Sequence, residues 1–340
     1  MAYDAVRTRL PSSWTLESIT SKFIGAPAVD AVWELRGPDN SVTHLNVDAV
    51  KQLEPGQVER VLNRLTHLPP PGLPFVSASF LSPRTRELLA NASVSYVDAT
   101  GNLRLQVDAP AVYIETAGAT SDPWRDNRSI RSLKGPAAGR AVRALSDFRP
   151  PYGIVELAKR SKTPPSSISR VASFLDREAL LTRTSRGTVT DVAWPRLIHR
   201  WTQDYSLQGS NRVVTALEPR GHDALLEKLR GADWPYAVTA SLAANVVAPY
   251  AAARLAVVYV ADFAQAVDLL RVRPVDAGTN LLLVEPYDPV VFDRTTVHDG
   301  VTYAALSQVA ADLLTSPGRG PAEGEELVRW MEEHEDRWRY

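Results

Sequence analysis

The chain has 340 residues, 44% of them hydrophobic, with 38 Lys and Arg against 39 Asp and Glu. That is the composition of a globular chain able to bury a core, and the length suits two or three domains of about 100–150 residues. The absence of cysteine excludes disulfides, thiolate metal sites and a cysteine nucleophile.

Residues 1–120 read as mixed α/β. VDAVWEL at Val29–Leu35 and VTHLNV at Val42–Val47 alternate as two strands around a turn at Gly37–Asn40. Glu54–Leu65 has helical spacing, with Val58, Val61, Leu62 and Leu65 on one face. The Pro-rich run Leu68–Pro74 ends it. A short strand at Phe75–Ser79 follows, and Ser82 with Pro83 starts a helix through Ala90. Ser93–Asp98 and Asn102–Val107 read as a hairpin, and Ala111–Glu115 as a last strand. In Asp98–Asn102 the expected feature is a tight turn with Gly101 or Asn102 left-handed.

Residues 121–134 are polar and Arg-rich, and read as a linker. Residues 135–200 carry the pattern of a winged helix-turn-helix. Pro136–Phe148 is the first helix, with Val142 and Leu145 inward, and Arg149-Pro150-Pro151 stops it. Gly153–Arg160 is a short second helix. After the turn Ser161–Thr163, with Thr163 expected as a cap, Pro165–Ala179 is the third. Ile168, Val171, Ala172 and Leu175 share its core face by their spacing. Ser166, Arg170, Ser173 and Arg177 lie opposite, flanked by Ser167 and Ser169. Leu180–Arg186 and Thr188–Trp194 alternate around Gly187 as a β-hairpin wing. Residues 201–340 read as a second α/β domain. Leu255–Val260 and Asn280–Val284 are its buried-strand candidates, and Glu323–His334 is a terminal amphipathic helix.

Charge sharpens the division. Residues 121–200 hold 16 Lys and Arg against 7 Asp and Glu, while the remaining residues hold 22 against 32. A basic middle between acidic flanks fits contact with a polyanion. Small hydroxyls let a helix approach DNA, and an arginine can take a guanine edge bidentately. Ser166, Ser167, Ser169, Arg170 and Ser173 are therefore expected to read bases. Lys159, Arg160, Lys162, Arg183 and Arg186 are expected to hold phosphates. The expected partner is double-stranded DNA, with pairing into a homodimer to extend the site. A winged helix used for protein contact is the alternative.

Catalysis is the weaker expectation in both flanks. In residues 1–120, Asp30 or Glu34, then Asp48 and Lys51, approximate the acids and lysine of a restriction-endonuclease-like metal site. Strand alternation, however, puts Asp48 and Lys51 on opposite faces. A nuclease-like fold with a degenerate site and plain surface charge both remain open. In residues 201–340, YAVTASLAA followed by LAVVYV suggests a nucleotidyltransferase-like pair. Ala240 stands where such an enzyme has glycine, and only Asp262 follows the strand. The six histidines are scattered. Neither a metal nor a cofactor is expected, and neither is enzymatic activity. The apolar stretches near 237–260 are broken by Pro249, Tyr250 and Arg254, so no membrane span is expected. MAYDAVRTRLPSSW has no apolar run behind its charges, so a cytoplasmic protein without a signal peptide is expected.

Taken together, VSYVDATGNLRL, RSLKGPAAGRAVRAL, the helix-turn-helix and the segments YAVTASLAA, LLLVEPYDPVVFDRT and SQVAADLLTSPGRGPAEGEEL resemble actinobacterial regulators similar to AbiEi-type antitoxins of type IV toxin–antitoxin systems. The resemblance covers roughly residues 85–335. It implies a DNA-binding repressor with an antitoxin-like C-terminal α/β domain. In that family the winged helix stands at the N-terminus, whereas here another domain of about 120 residues precedes it.

Overall fold

The computed structural model describes residues 2–19, 29–65, 72–124, 132–184 and 186–340. The chain is α/β, with two large mixed sheets and many helices. Its described residues sort into two compact units. One gathers those of 1–129 with 173–179 and 183–184, and the other those of 130–172, 180–182 and 186–340. Among the described residues, no helix is long and apolar enough to cross a membrane.

The first unit begins with α1 (Ala2–Arg7) and β1 (Thr15–Ser18). The two alternating runs become β2 (Ala31–Arg36) and β3 (Val42–Gln52), antiparallel partners. Their turn forms because Asn40 accepts a left-handed φ of 62° and the Asp39 carboxylate receives the Ser41 amide at 3.0 Å. The run from Glu54 splits into a 3-10 turn at Pro55–Gln57 and α2 (Val58–Leu65). Then come β4 (Leu73–Phe80) and α3 (Pro83–Asn91), capped by the Ser82 hydroxyl on the Thr85 amide. The expected hairpin is β5 (Ser95–Asp98) with β6 (Leu103–Val107), and β7 (Val112–Thr116) closes the sheet. Part of the Pro-rich run after α2, and most of the linker from 121 to 134, lie outside the described residues.

These strands lie in sequence order, β1 to β7. β3, β4 and β5 are parallel, joined through α2 and α3, and every other pairing is antiparallel. Alternation divides the apolar residues between two faces. Leu45, Val47, Phe75 and Val97 join Val6 of α1 on one. Val76, Ala78 and Tyr96 join Val58, Val61 and Leu89 of α2 and α3 on the other.

The second unit contains α4 (Pro136–Asp147), α5 (Ile154–Arg160) and most of α6 (Pro165–Arg177). Strands β8 (Leu181–Arg183) and β9 (Val189–Val192) pair as a ribbon. After α7 (Trp194–Thr202) and α8 (Leu207–Ser210) come β10 (Arg212–Leu217), α9 (His222–Leu229) and β11 (Tyr236–Thr239). Next are α10 (Ala240–Ala244), β12 (Ala256–Val260), α11 (Phe263–Leu270), β13 (Arg273–Pro274) and β14 (Leu281–Glu285). Last are β15 (Thr296–His298), β16 (Val301–Tyr303), α12 (Leu306–Leu314) and α13 (Gly320–Glu333). The sheet order is β13-β10-β14-β12-β11-β16-β15. The two buried-strand candidates are its central parallel neighbours, with Ala256 opposite Leu281. Full burial on both faces explains their unbroken apolar runs.

Beneath this sheet α12 carries a buried polar chain. Asp312 accepts hydrogen bonds from Tyr205 (2.6 Å), Thr239 (2.6 Å), Tyr259 (2.9 Å) and Gln308 (2.9 Å). Burial outweighs these donors and pushes the Asp312 carboxyl above the ordinary carboxylate range. A raised folded value means stability that is full at low pH and lost as pH rises from the ordinary carboxylate value through the raised one. Wild type should therefore lose urea resistance relative to Asp312→Asn as pH increases through that window. A difference between the two proteins that stays flat with pH, or moves the other way, would show that this direction is wrong.

Candidate nucleic-acid interface

Each helix of the 135–200 segment follows from local chemistry. Pro136 starts α4, where its missing amide costs nothing. Gly153 precedes α5, whose Leu157 and Ala158 are buried. Ile168, Val171, Ala172 and Leu175 of α6 are all buried, as their spacing requires. Thr163 departs from expectation. Its hydroxyl donates to the Ser161 carbonyl at 3.0 Å, and the Pro164 carbonyl takes the Ser167 and Ile168 amides that begin α6.

Eight of the ten expected DNA contacts fall in the second unit. Ser166 and Arg170 are exposed on α6, with Ser167 and Ser169 half-buried beside them. Among the described residues, the Arg170 guanidinium makes only local bonds, to the Ser166 carbonyl at 3.3 Å and the Ser167 hydroxyl at 3.4 Å. Lys159 and Arg186 are exposed and form no ion pair among the described residues. Arg160 is engaged by Glu156 one helical turn away at 2.5 Å, with its guanidinium over the Phe148 ring. Lys162 reaches Asp293 at 3.0 Å yet stays 73% exposed, so that pair is weakly held.

The remaining two belong to the first unit. Arg183 donates to Asp176 at 2.9 Å and to Ser173 at 3.3 Å. These bonds commit much of its guanidinium to protein and occupy the Ser173 hydroxyl. The expected wing tip between Arg183 and Arg186 contains Ser185, which lies outside the described residues.

The second unit also holds this segment in ways that spacing alone does not reveal. Arg140 on α4 pairs with the buried Asp288 at 2.9 Å and donates to the Lys162 carbonyl at 3.2 Å, fixing the turn before α6. Arg143 is fully buried. It donates to Ser307 (2.9 Å), Gln308 (3.0 Å), the Asp293 carbonyl (3.2 Å) and Asp147 (3.3 Å). Asp147 also receives Arg294 at 2.5 Å and the Ser307 hydroxyl. Gln308 joins this cluster to Asp312, so the polar chain runs from α4 to the sheet. Gly139 fits because a Cβ there would come within 2.0 Å of the Tyr287 hydroxyl.

The weaker catalytic candidates are placed elsewhere. Asp48 is buried and bonded to Arg64, while Lys51 is exposed, on the opposite face of β3. Burial raises the Asp48 carboxyl above the usual range, against the pull of Arg64. Asp30 accepts the Ala49 amide at 2.7 Å, and Glu34 pairs with Arg36. Asp262 caps α11 through the Gln265 amide at 2.8 Å. Asp98 spends its carboxylate on the turn it begins, where Gly101 takes φ 103°. Among the described residues, no three His, Cys, Asp or Glu side chains gather as a metal-binding set. Compared with family models, curated proteins and solved structures, the chain finds no match in any of the three.

Proposed function

We propose that residues 135–200 act as a winged helix that binds double-stranded DNA, and that the protein is a sequence-specific transcriptional regulator, most simply a repressor. The observation that carries this reading is the outer surface of α6 and its surroundings. Ser166 and Arg170 are exposed and only locally bonded, and Lys159 and Arg186 are exposed and unpaired among the described residues. Such groups meet phosphate and base edges without first breaking a strong internal pair. Residues 121–200 are also the basic part of an otherwise acidic chain. In this reading the helix presents its serine-arginine side to the major groove, and Lys159 and Arg186 grip the flanking backbone. Two copies reading paired half-sites would supply the length that one winged helix lacks.

An electrophoretic shift with duplex DNA across a salt series tests the proposal. Log affinity should fall linearly with log salt. Lys159→Ala and Arg186→Ala should each weaken every duplex alike and reduce the salt slope by about one. Loss of binding to one sequence only would move these side chains from the backbone to a base. No shift at low salt would end the DNA-binding reading.

A further inference from the structure

The first unit contains a cavity of about 450 Å³ that nothing in the DNA-binding reading uses. Its origin lies in side-chain size along one face of the sheet. In β3 that face carries Leu45 and Val47, then Ala49 and Lys51. In β4 it carries Phe75, then Ser77 and Ser79. The register sets Ala49 beside Ser77, and Ser77 beside Val97. Large residues therefore give way to Ala49 on β3 and to Ser77 and Ser79 on β4, toward the carboxyl ends of two neighbouring parallel strands, with Val97 of β5 beside Ser77. The core stops there, and the space remains. Carboxyl ends of parallel strands are where open α/β sheets hold their ligands, and the volume lies within the range of about 300–1,000 Å³ typical of small-molecule sites.

The charges in the wall select the ligand. Asp98 is the carboxylate of the lining, and its oxygens already accept from Leu81, Thr100 and Asn102. Lys51 and Arg9 line the same cavity, and both are exposed. Among the described residues, Lys51 forms no ion pair and the Arg9 guanidinium donates only to the Ala5 carbonyl, at 2.8 Å. The floor is mostly methyl groups, from Ala2, Ala5, Ala49 and Val97, with two serine hydroxyls. We infer that this cavity binds a small organic acid, with a compact apolar body on the alanine floor and one carboxylate facing Lys51 and Arg9. Lys51, which approximated the lysine of a nuclease, thereby acquires a binding role that needs no metal. The inference is independent of the DNA-binding reading.

Saturation-transfer NMR on the full chain tests it, with sodium benzoate as the probe and benzyl alcohol as its uncharged counterpart. Benzoate should give a saturable signal, and benzyl alcohol much less. Lys51→Ala should weaken benzoate about ten-fold, as loss of a charge-assisted contact does, and Lys51→Arg should restore most of it. Ser77→Leu should fill the floor and abolish the signal. Should that variant fold poorly, Ala49→Leu fills the same space from an exposed position. Three outcomes would each overturn the inference. Wild type could give no benzoate signal, benzyl alcohol could match benzoate, or the signal could persist in the folded cavity-filling variant.

Discussion

Arg143→Met is expected to cost about 3–5 kcal/mol, the usual penalty for removing one partner of a buried ion pair. Arg143 and Asp147 are both closed to solvent. The guanidinium donates to Asp147, Ser307, Gln308 and the Asp293 carbonyl. Methionine fills much of the volume but supplies no donor. Gln308 then loses the donor to its side-chain oxygen, and Asp147 keeps only Arg294 and Ser307. Buried acceptors left without partners are what make such changes severe. Urea unfolding should show a midpoint far below wild type with the slope unchanged. A loss under about 1 kcal/mol would mean that this cluster contributes little, as an exposed pair would. Because α4 is the first helix of the proposed DNA-binding segment, the surviving folded fraction should also bind duplex DNA less well.

Arg170→Ala is expected to leave the fold intact and to reduce specific DNA binding by about 1–3 kcal/mol, roughly 5- to 150-fold. Alanine is at least as good a helix former as arginine, and the two local bonds it removes are long and solvent-exposed. The melting temperature should therefore stay near that of wild type. The loss should be confined to sequences with guanine at one position, where the guanidinium spans O6 and N7. An equal loss on every sequence would make Arg170 a phosphate contact instead.

How much of this could be read from the residues alone depended on how local each signal was. The alternation of Val29–Leu35 and Val42–Val47, the spacing in Pro165–Ala179 and the apolar runs near 256 and 281 each report burial within a few neighbours. The elements they marked are present, with ends moved by a few residues. Strand β1 has one buried residue of four, so it carries no alternation to find. Helix α12 buries Ser307, Gln308 and Asp312, so it has no polar face to display. Arg143 reads from the sequence as one more charge in a basic segment, because Ser307 and Gln308, which help to bury it, lie 164 and 165 residues away. The hairpin pattern puts Arg183 at the wing tip, and Asp176, seven residues before it, draws it back. Ser77 and Ser79 fall in the expected strand Phe75–Ser79, whereas Ala49 lies past Val47, where the expected strand ends and the observed one continues to Gln52. Only the register shows that they adjoin and leave a cavity.

Sequence-specific DNA binding is tested most directly by selection of duplexes from a random library by the full chain at moderate salt, repeated with Arg170→Ala. Wild type should enrich a defined motif, paired about one helical turn apart if two copies bind, and Arg170→Ala should lose the preference at a guanine within it. Recovery of no motif by wild type, together with no duplex retained at low salt, would contradict sequence-specific binding.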